Sequence, residues 1–314
     1  MKTLILEKSD ISKIIKMKNC IDMCDEAFTM TTKGKIIQYP RNWLKPGRGG
    51  LLGTAYVTEP GYFILKLLTN GVQIILLVDY QRGTFVLMDG SLITDLRTGA
   101  GGAVSVRYLA NENSETVGVL GSGNVAKHAL WAICEEKEIS YAKVFSRTET
   151  NRDRFVKEME KMLGIKMSAV SSVDDAVRDV DIIVTATKAT EPVLLEEHLQ
   201  KGVHICALGN PPEIDPKIFL TAKVYLESLE QSRREGKLSN AIRAGLINGD
   251  AVFPELGEVI LGISEGRTSR EDITMFDCQG LTAQDAIPAW RAYTQMLEMG
   301  KGKWLDLEFG PGNL

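Results

Sequence analysis

Apolar and polar residues alternate in successive short runs in the front part of the chain. These runs predict β-strands at residues 51–58, 62–68, 72–79 and 84–88. Short polar segments separate them, as expected for turns. Because strands that follow one another through short turns pair in opposite directions, the front part is expected to form an antiparallel sheet.

Helical spacing of apolar residues precedes and follows these strands. Apolar residues recur at helical spacing from residue 11 to residue 28 and the pattern stops at Gly34, which predicts two short helices or one broken helix. A glycine-rich link that contains Gly47 and Gly49 leads to the first strand of the sheet. Residues 104–109 are small and apolar, which is typical of a buried helix.

From residue 116 the pattern changes to a regular alternation of strands and helices. Nearly continuous apolar runs predict strands at residues 116–120, 141–145, 166–169, 181–185, 204–208 and 223–226. Helical spacing predicts helices at residues 124–136, 151–163, 173–177 and 194–199. Strands that are apolar on both faces and alternate with helices indicate a parallel, doubly wound α/β sheet.

The last part of the chain ends this alternation. Helices are predicted at residues 231–244 and 255–261, and a last strand at residues 273–277. A long amphipathic helix is predicted at residues 283–299. Because the parallel sheet is complete by then, we expect this helix to leave it and pack on the front domain.

A length of 314 residues exceeds the usual size of a single core, so two domains are expected. The polar, turn-forming residues 111–114 indicate the first boundary. We therefore predict one domain at residues 1–113, to which residues 284–314 return, and a second domain at residues 114–283.

Composition excludes several classes of function. The net charge of −4 provides no basic surface for nucleic acid, and no apolar run approaches the ~20 residues of a membrane span. The first residues have too short an apolar core for a signal peptide.

Five scattered cysteines favour reduced thiols and a cytoplasmic location, and neither they nor the three histidines show the spacing of a metal site. His204, inside an apolar strand, is expected to be a hydrogen-bonded core residue.

One stretch combines a strand end, a glycine turn and a helix start. It consists of Gly121, Ser122, Gly123, Asn124, Val125 and Ala126. Gly121 permits a sharp turn, Gly123 lacks the Cβ that would hold a pyrophosphate away from the backbone, and Ala126 allows close helix packing. The helix N-terminus offers free N–H groups and a partial positive charge to phosphates. Because the strand and helix alternation follows it, this stretch predicts a dinucleotide-binding Rossmann domain.

Several segments, in the same order along nearly the whole chain, resemble the ornithine cyclodeaminase and mu-crystallin family. They are residues 61–66, residues 88–100 with the run Leu96-Arg97-Thr98-Gly99-Ala100, residues 121–126, residues 181–187, and residues 273–277 with the helix after them. The resemblance implies an α/β protein with a doubly wound Rossmann domain for nicotinamide. It also implies an α+β N-terminal domain that binds substrate, forms a homodimer and is completed by a C-terminal helix. Members interconvert amino acids with imino or oxo acids by hydride transfer, or cyclise a diamino acid, and some bind ligands with little catalysis.

Three basic residues match the positions at which this family holds the substrate carboxylate, namely Arg41, Lys66 and Arg97. A planar guanidinium orients a carboxylate through two hydrogen bonds, and burial of Lys66 in an apolar strand would lower its pKa and let it exchange a proton with the substrate. Structural alternatives stay open. Arg41 would then be a solvated surface residue, Lys66 an edge-strand lysine that prevents aggregation, and Arg97 a cap or brace for the helix that follows it.

The end of the second strand of the nucleotide domain bears on the choice of cofactor. It carries Ser146, Arg147 and Thr148, where an NAD-preferring domain usually has an acidic residue. A guanidinium with two hydroxyls suits a 2′-phosphate, so the cofactor is expected to be NADP(H), and Glu149 nearby leaves NAD(H) possible. Further cofactor contacts are expected at later strand ends, with turn chemistry as the alternative, from Thr185, Ala186, Thr187, Leu208, Gly209, Asp277 and Gln279.

Asn210 stands where cyclodeaminases of this family have an acidic residue. An amide can orient an ammonium but cannot accept its proton, and Glu213 follows two prolines that stiffen its loop. The leading hypothesis is therefore an NADP-dependent oxidoreductase that acts on the C–N bond of a small amino or imino acid, by imine reduction or by reductive amination of a 2-oxo acid. Cyclodeamination of ornithine or lysine is the second hypothesis, and NADPH-dependent ligand binding of the mu-crystallin kind is the third.

Overall fold

The computed structural model describes residues 2–43 and 50–307. Gly47 and Gly49 of the predicted link lie outside the described residues. Contacts group residues 1–97 with residues 281–314 as one compact unit, and residues 98–280 as another. The first division between the units, after residue 97, falls inside the helix that precedes the predicted domain boundary at residues 111–114.

The first unit begins with a strand, two helices and a run of strands. Its elements, in chain order up to the helix that leaves it, are β1 (Lys2–Leu6), α1 (Lys8–Ile14), α2 (Met17–Thr32), β2 (Ile36–Gln38), β3 (Asn42–Trp43), β4 (Leu51–Val57), β5 (Tyr62–Thr69), β6 (Val72–Asp79), β7 (Thr84–Asp89) and α3 (Ser91–Leu109). The strands predicted between residues 51 and 88 are confirmed as β4 to β7, and the N-terminal helical pattern is confirmed as two helices. The predicted helix at residues 104–109 is the last part of α3.

The second unit alternates strands and helices. Its strands are β8 (Thr116–Leu120), β9 (Tyr141–Phe145), β10 (Lys166–Ala169), β11 (Ile182–Thr185), β12 (His204–Ala207), β13 (Lys223–Leu226) and β14 (Thr274–Asp277). Its helices after α3 are α4 (Asn124–Glu136), α5 (Glu149–Leu163), α6 (Val173–Val177), α7 (Ile218–Thr221), α8 (Leu229–Glu235), α9 (Lys237–Arg243) and α10 (Leu256–Ile260), with 3₁₀ turns at Glu196–His198 and Pro211–Glu213. The chain then returns to the first unit with α11 (Thr282–Glu298) and β15 (Lys303–Asp306).

Two predicted helices are wrong in part. Residues 194–199 form only a 3₁₀ turn, because Leu194 pairs with Ile214 in a β-bridge. The helix predicted at residues 231–244 is broken at Gly236, where the backbone is extended with φ −85° and ψ −174°. The carboxylate of Asp277 accepts hydrogen bonds from the backbone N–H groups of Lys237 and Leu238, at 3.0 and 3.4 Å, so a new helix begins there.

The sheet of the first unit has the strand order β15-β1-β7-β6-β5-β4-β2, and β3 also pairs with β4. The β1–β7 pair is parallel, and the others, including the adjacent pairs from β4 to β7, are antiparallel. Strand β5 lies in the interior of this sheet and buries every second side chain, which are Tyr62, Ile64 and Lys66. Helix α11 packs against this part of the sheet and against α2. Lys66 is therefore on the covered face of the sheet.

The sheet of the second unit is parallel throughout, with the strand order β10-β9-β8-β11-β12-β14-β13. The chain runs outward from β8 in one direction and then crosses to β11 on the other side. In open α/β sheets, ligands bind at the carboxyl ends of the strands where the order reverses in this way. The predicted dinucleotide loop, residues 121–126, follows β8 at this point. The predicted fold class, a doubly wound domain with a smaller α+β unit, is confirmed.

Within residues 2–43 and 50–307, no helix has both the length and the apolar character that a membrane crossing requires. The same residues contain no group of three or more His, Cys, Asp or Glu side chains that would hold a metal ion. All five cysteines are free thiols. His204 is fully buried between the hydroxyls of Ser105 and Thr274, at 3.0 and 2.9 Å, which confirms it as a core histidine.

Candidate functional site

The first unit buries a lysine beside a carboxylate. Lys66, on β5, is 3% exposed, and its Nζ donates to Asp285 Oδ1 of α11 at 2.5 Å and to Thr94 Oγ1 of α3 at 2.6 Å. Because β5 is an interior strand, the alternative of an edge-strand lysine does not hold. A lysine held in this way on the covered face of the sheet is suited to chemistry with a bound molecule rather than to solubility.

Arg97 joins the same carboxylate from α3. It is 5% exposed, its Nε lies 3.3 Å from Asp285 Oδ1, and its Nη1 donates to Gln284 Oε1 at 3.4 Å. Arg41 precedes β3 and lies near Gly53, the residue opposite Lys66 in the β4–β5 pair. If Gly53 had a Cβ, that atom would lie 3.6 Å from Arg41 Cγ. The three basic residues predicted from sequence thus converge in the first unit.

This cluster of Arg41, Lys66, Arg97 and Asp285 is called the cationic cluster below. The pKa of Lys66 is lowered to about 7, mainly by burial; the charge and hydrogen bond of Asp285 oppose this shift, and the charges of Arg97 and Arg41 add to it. Three basic groups face one carboxylate, so the cluster carries excess positive charge when Lys66 is protonated. Such a cluster has the charge to attract an anion, and its lysine has a pKa suited to proton exchange near neutral pH.

Asp285 and Gln284 were not predicted as site residues. They lie in the first turn of α11, which is amphipathic and buries Asp285 to 1% exposure and Gln284 to 0%. A signal was present, since two polar residues occupy the apolar face of this helix. Their partners lie far away in sequence, so the pattern alone did not identify them.

The loop after β8 has the geometry that a pyrophosphate needs. Gly121 has φ +124°, and a Cβ there would lie 2.5 Å from the carbonyl oxygen of Ala186, so another residue would not fit. Gly123 precedes α4 as its N-cap, and a Cβ there would meet nothing within 4 Å. Ala126 is fully buried. The N-terminus of α4 is therefore open to a phosphate, and the residues present fit a dinucleotide.

The predicted 2′-phosphate residues lie together at the end of β9. Ser122 Oγ donates to Ser146 Oγ at 3.0 Å, which joins the glycine loop to this strand end. Arg147 and Thr148 are exposed, and Arg147 makes no hydrogen bond or ion pair with any other described residue. Arg152, one turn into α5, donates to the carbonyl of Ser146 at 3.2 Å and adds a second guanidinium near this position.

Glu213 organises the strand ends of β11 and β12. The 3₁₀ turn Pro211–Glu213 brings its carboxylate into the interior, where it is 0% exposed. It accepts hydrogen bonds from Thr185 Oγ1 at 2.6 Å, from Thr187 N and Oγ1 at 2.7 Å, and from Gly209 N at 2.8 Å. The prolines thus direct Glu213 toward these strand ends, and its carboxylate is fully used there. Sequence reasoning missed this role.

Lys237 lies at the same edge of the sheet, and sequence reasoning also missed its role. It is 1% exposed, and its Nζ donates to the carbonyls of Ala207, Gly209 and Cys278 at 2.8, 3.0 and 3.3 Å. Asp277 lies 3.6 Å from this ammonium. The ammonium therefore joins the segment after β12 to the segment after β14.

The remaining predicted cofactor residues lie at these strand ends. Asp277 is fully buried, and its carboxylate also accepts from Gln279 Nε2 at 2.7 Å. Gln279 N donates to Glu227 at 2.8 Å. Leu208 is 9% exposed, whereas Asn210 is exposed. Cofactor contacts of Ala186, Leu208, Asp277 and Gln279, and a catalytic role for Asn210, stay predictions.

The chain is similar to a known family over most of its length. The profile of the ornithine cyclodeaminase/mu-crystallin family matches residues 1–300. The alanine dehydrogenase of Archaeoglobus fulgidus is 32% identical over 317 residues, which cover 96% of this chain and 98% of the relative. A Delta(1)-pyrroline-2-carboxylate reductase of Bacillus cereus is 37% identical over 248 residues, which cover 77% of this chain and 75% of the relative.

Solved structures show the same similarity in three dimensions. Thermococcus litoralis Delta(1)-pyrroline-2-carboxylate reductase, in complex with NADH and L-proline, matches with a TM-score of 0.89 and 32% identity, over 96% of this chain and 99% of that one. An archaeal alanine dehydrogenase dimer with bound NAD matches with a TM-score of 0.91 and 30% identity, over 98% of this chain and 100% of that one.

Proposed function

The chain belongs to the ornithine cyclodeaminase/mu-crystallin family, and on this premise we propose that it reduces the C=N bond of a small α-imino acid with NADP(H). Like the relatives described above, it is an oxidoreductase, as the sequence predicted. The observation that carries the proposal is the cationic cluster, in which the Lys66 ammonium is held between Asp285 and Thr94.

The substrate carboxylate binds to the cationic cluster. Arg97 is already oriented by Asp285 and Gln284, so little side-chain entropy is lost when it grips an anion. A fixed guanidinium also sets the orientation of the carbon atom next to the carboxylate. Arg41 and Lys66 add the remaining positive charge on the β4–β5 side.

Lys66 supplies the proton. A nicotinamide cofactor held by the glycine loop after β8 would supply the hydride that the imine carbon requires. Lys66 donates a proton to the imine nitrogen, so that C=N becomes CH–NH and the lysine is left neutral. A pKa of about 7 lets Lys66 give this proton in reduction and take it back in oxidation of the amine. Asp285 and Thr94 fix the direction in which the ammonium points.

NADP(H) is favoured by the residues at the end of β9. Arg147 is exposed and has no acidic partner among the described residues, so it is available to a 2′-phosphate. Ser146 and Thr148 offer hydroxyls, and the first turn of α5 adds its partial positive charge. Glu149, which would favour NAD(H), lies 4.0 Å from the guanidinium of Arg152, which offsets its negative charge.

A cyclic imine is the first substrate class to test. Two of the similar proteins are named as reductases of a five-membered cyclic imino acid, and another as an alanine dehydrogenase. Both reactions place one carboxylate next to the carbon that receives the hydride, which is the arrangement the cationic cluster accommodates. Reductive amination of a 2-oxo acid is the second class.

Cyclodeamination is disfavoured by the loop after β12. Asn210 is an exposed amide and accepts no proton from an ammonium. Glu213, the nearest acidic side chain in that loop, is buried and already accepts hydrogen bonds from Thr185, Thr187 and Gly209. A second amino group of ornithine or lysine therefore lacks a base here.

A homodimer is proposed from the outer face of the first sheet. Apolar side chains on strands β4 to β7 stay partly exposed there, namely Leu52, Tyr56, Phe63, Leu65, Leu67, Ile74, Leu76, Val78, Phe85 and Leu87. A continuous apolar face of this extent is typical of a protein interface. The similar archaeal alanine dehydrogenase is described as a dimer.

Free thiols at all five cysteines suit a reducing, cytoplasmic setting.

A screen of NADPH oxidation tests the function. The substrates are the five- and six-membered cyclic imino acids and a set of 2-oxo acids, each with and without ammonia or methylamine. Net oxidation with one of these supports the proposal. Ammonia release from ornithine or lysine without net oxidation would show cyclodeamination instead, and tight binding without turnover would show a ligand-binding protein.

A further inference from the structure

We propose that Thr282 and Gln284 are further substrate-binding residues, which donate hydrogen bonds to the carboxylate of the imino acid beside the cationic cluster. The inference rests on the proposed function, because it takes the anion in that cluster to be the substrate carboxylate. It assigns the first turn of α11 to substrate recognition as well as to packing.

Gln284 presents an amide donor that no other described residue uses. Its side chain is 0% exposed, and its Oε1 accepts hydrogen bonds from Leu281 N at 3.0 Å and from Arg97 Nη1 at 3.4 Å. These two donors fix which end of the amide is the oxygen. The Nε2 group is buried and has no hydrogen-bond partner among the described residues.

Thr282, beside Gly53, presents a second group that no other described residue uses. It is 1% exposed, and its Oγ1 is buried with no hydrogen-bond partner among the described residues. A Cβ at Gly53 would overlap this hydroxyl and would also lie 3.6 Å from Arg41 Cγ. Gly53 pairs with Lys66 in the sheet, so the absence of a side chain there leaves room for Thr282 next to Lys66 and Arg41.

Unsatisfied buried polar atoms are rare because each forfeits the hydrogen bonds it makes in water. Thr282 Oγ1 and Gln284 Nε2 are two such atoms within one helical turn, and both lie beside the cationic cluster. One bound ligand can therefore satisfy both. Each can donate, and an anion is the partner that the neighbouring charges favour. We assign one carboxylate oxygen to Arg97 and Gln284, and the other to Arg41 and Thr282.

Isosteric variants of both residues test the inference. Thr282→Val and Gln284→Leu are compared with the wild type in NADPH oxidation, using the imino or oxo acid that turns over fastest in the screen above. The KM for that acid is expected to rise by roughly 10- to 100-fold, as for loss of a hydrogen bond to a charged group. The Kd for NADPH, from the quenching of protein fluorescence, is expected to stay within about twofold.

Thermal stability separates binding from a structural role. Replacing an unsatisfied buried hydroxyl by a methyl group relieves a cost in the free protein, so Thr282→Val is expected to raise Tm by roughly 2–4 °C while it weakens binding. Thr282→Ser keeps the hydroxyl and is expected to keep the KM. Thr294→Val and Gln295→Leu, on the same helix, serve as matched controls with an unchanged KM.

The outcomes are distinct. An active wild type whose KM is unchanged in both Thr282→Val and Gln284→Leu overturns the inference and leaves the proposed function standing. Variants that lose only stability also overturn it. If Gln284→Leu does not fold, the KM of Thr282→Val alone decides whether the inference holds. A wild type that oxidises NADPH with none of the acids overturns the proposed function, and the inference with it.

Discussion

Asp285 Oδ1 lies 2.5 Å from Lys66 Nζ, although the two residues are 219 positions apart in the chain. The contact joins the return helix α11 to the interior strand β5 inside the first unit. Arg97 shares the same carboxylate oxygen at 3.3 Å. One buried carboxylate thus fixes both an acid–base group and an anion-binding group, and the protonation of Lys66 becomes a property of the whole cluster.

The pH dependence of catalysis should report Lys66. The proposed function makes the protonated form of Lys66 the donor in imine reduction. The value of kcat/KM for reduction is therefore expected to fall as pH rises through about 7, and kcat/KM for amine oxidation to fall as pH drops through the same value. Asp285 favours the protonated lysine, so Asp285→Asn should move both limbs, that is, the fall in reduction and the fall in oxidation, to lower pH. Asp250→Asn, an exposed residue of the second unit, should leave them in place. Limbs that do not move in Asp285→Asn would contradict this coupling.

Arg147 should set the preference for NADPH. In Arg147→Asp a carboxylate replaces the guanidinium and repels the 2′-phosphate, so the ratio of kcat/KM for NADPH to that for NADH is expected to fall by at least roughly tenfold. Arg154→Asp is the matched control, because Arg154 is exposed on α5, the helix that follows Arg147, and among the described residues it bonds only Asn151, at 3.1 Å. A wild type that already prefers NADH would show the assignment to be wrong.

The outer face of the first sheet should hold two copies together. Leu65→Glu places a charge in the centre of the apolar face formed by β4 to β7, while the covered face with Lys66 is on the opposite side of the strand. We expect a dimer for the wild type and a monomer for Leu65→Glu in sedimentation analysis, with the far-UV circular dichroism unchanged. Met162→Glu, at a residue that is 43% exposed on α5 of the second unit, is the control. A monomeric wild type would contradict the proposed assembly.

Much of the fold could be predicted because its signals are local. The alternation in β4 to β7 and the apolar runs of β8 to β14 each follow from a few neighbouring residues, and the turn at Gly121 carries its own geometric requirement. Strands β1 and β15 were missed, since they pair with each other through segments some 300 residues apart. β15 is a short edge strand, and β1, between β15 and β7, is only five residues long, so neither shows a pattern of its own that distinguishes it.

The site was predicted only in part for the same reason. Lys66 was found because a lysine interrupts an apolar strand, and Arg41 and Arg97 because they match a family pattern. Asp285, Glu213 and Lys237 act through partners that are distant in sequence, and each could equally have been a solvated charge on a helix or loop. Which charges are buried together depends on how the elements pack, and one chain's pattern does not contain that information.

Lys237 should hold together the loops that follow β12 and β14. Lys237→Met removes the donor to the carbonyls of Ala207, Gly209 and Cys278 and leaves Asp277 buried beside an apolar chain. The expected loss is about 3–5 kcal/mol in the free energy of unfolding, as for other buried charges deprived of their partner. Hydrogen exchange should also become faster in the peptides that contain Gly209 and Cys278.

Lys223 provides the comparison that separates this role from the general effect of removing a lysine. Its side chain is 42% exposed and pairs with Asp272 at 2.8 Å, so Lys223→Met should cost no more than about 1 kcal/mol. The double variant Lys237→Met/Asp277→Asn removes the unpaired carboxylate and should recover part of the stability, while exchange at both loops stays fast. If Lys237→Met were as stable as Lys223→Met, or if exchange increased in only one loop, the ammonium would not be the link between the two strand ends.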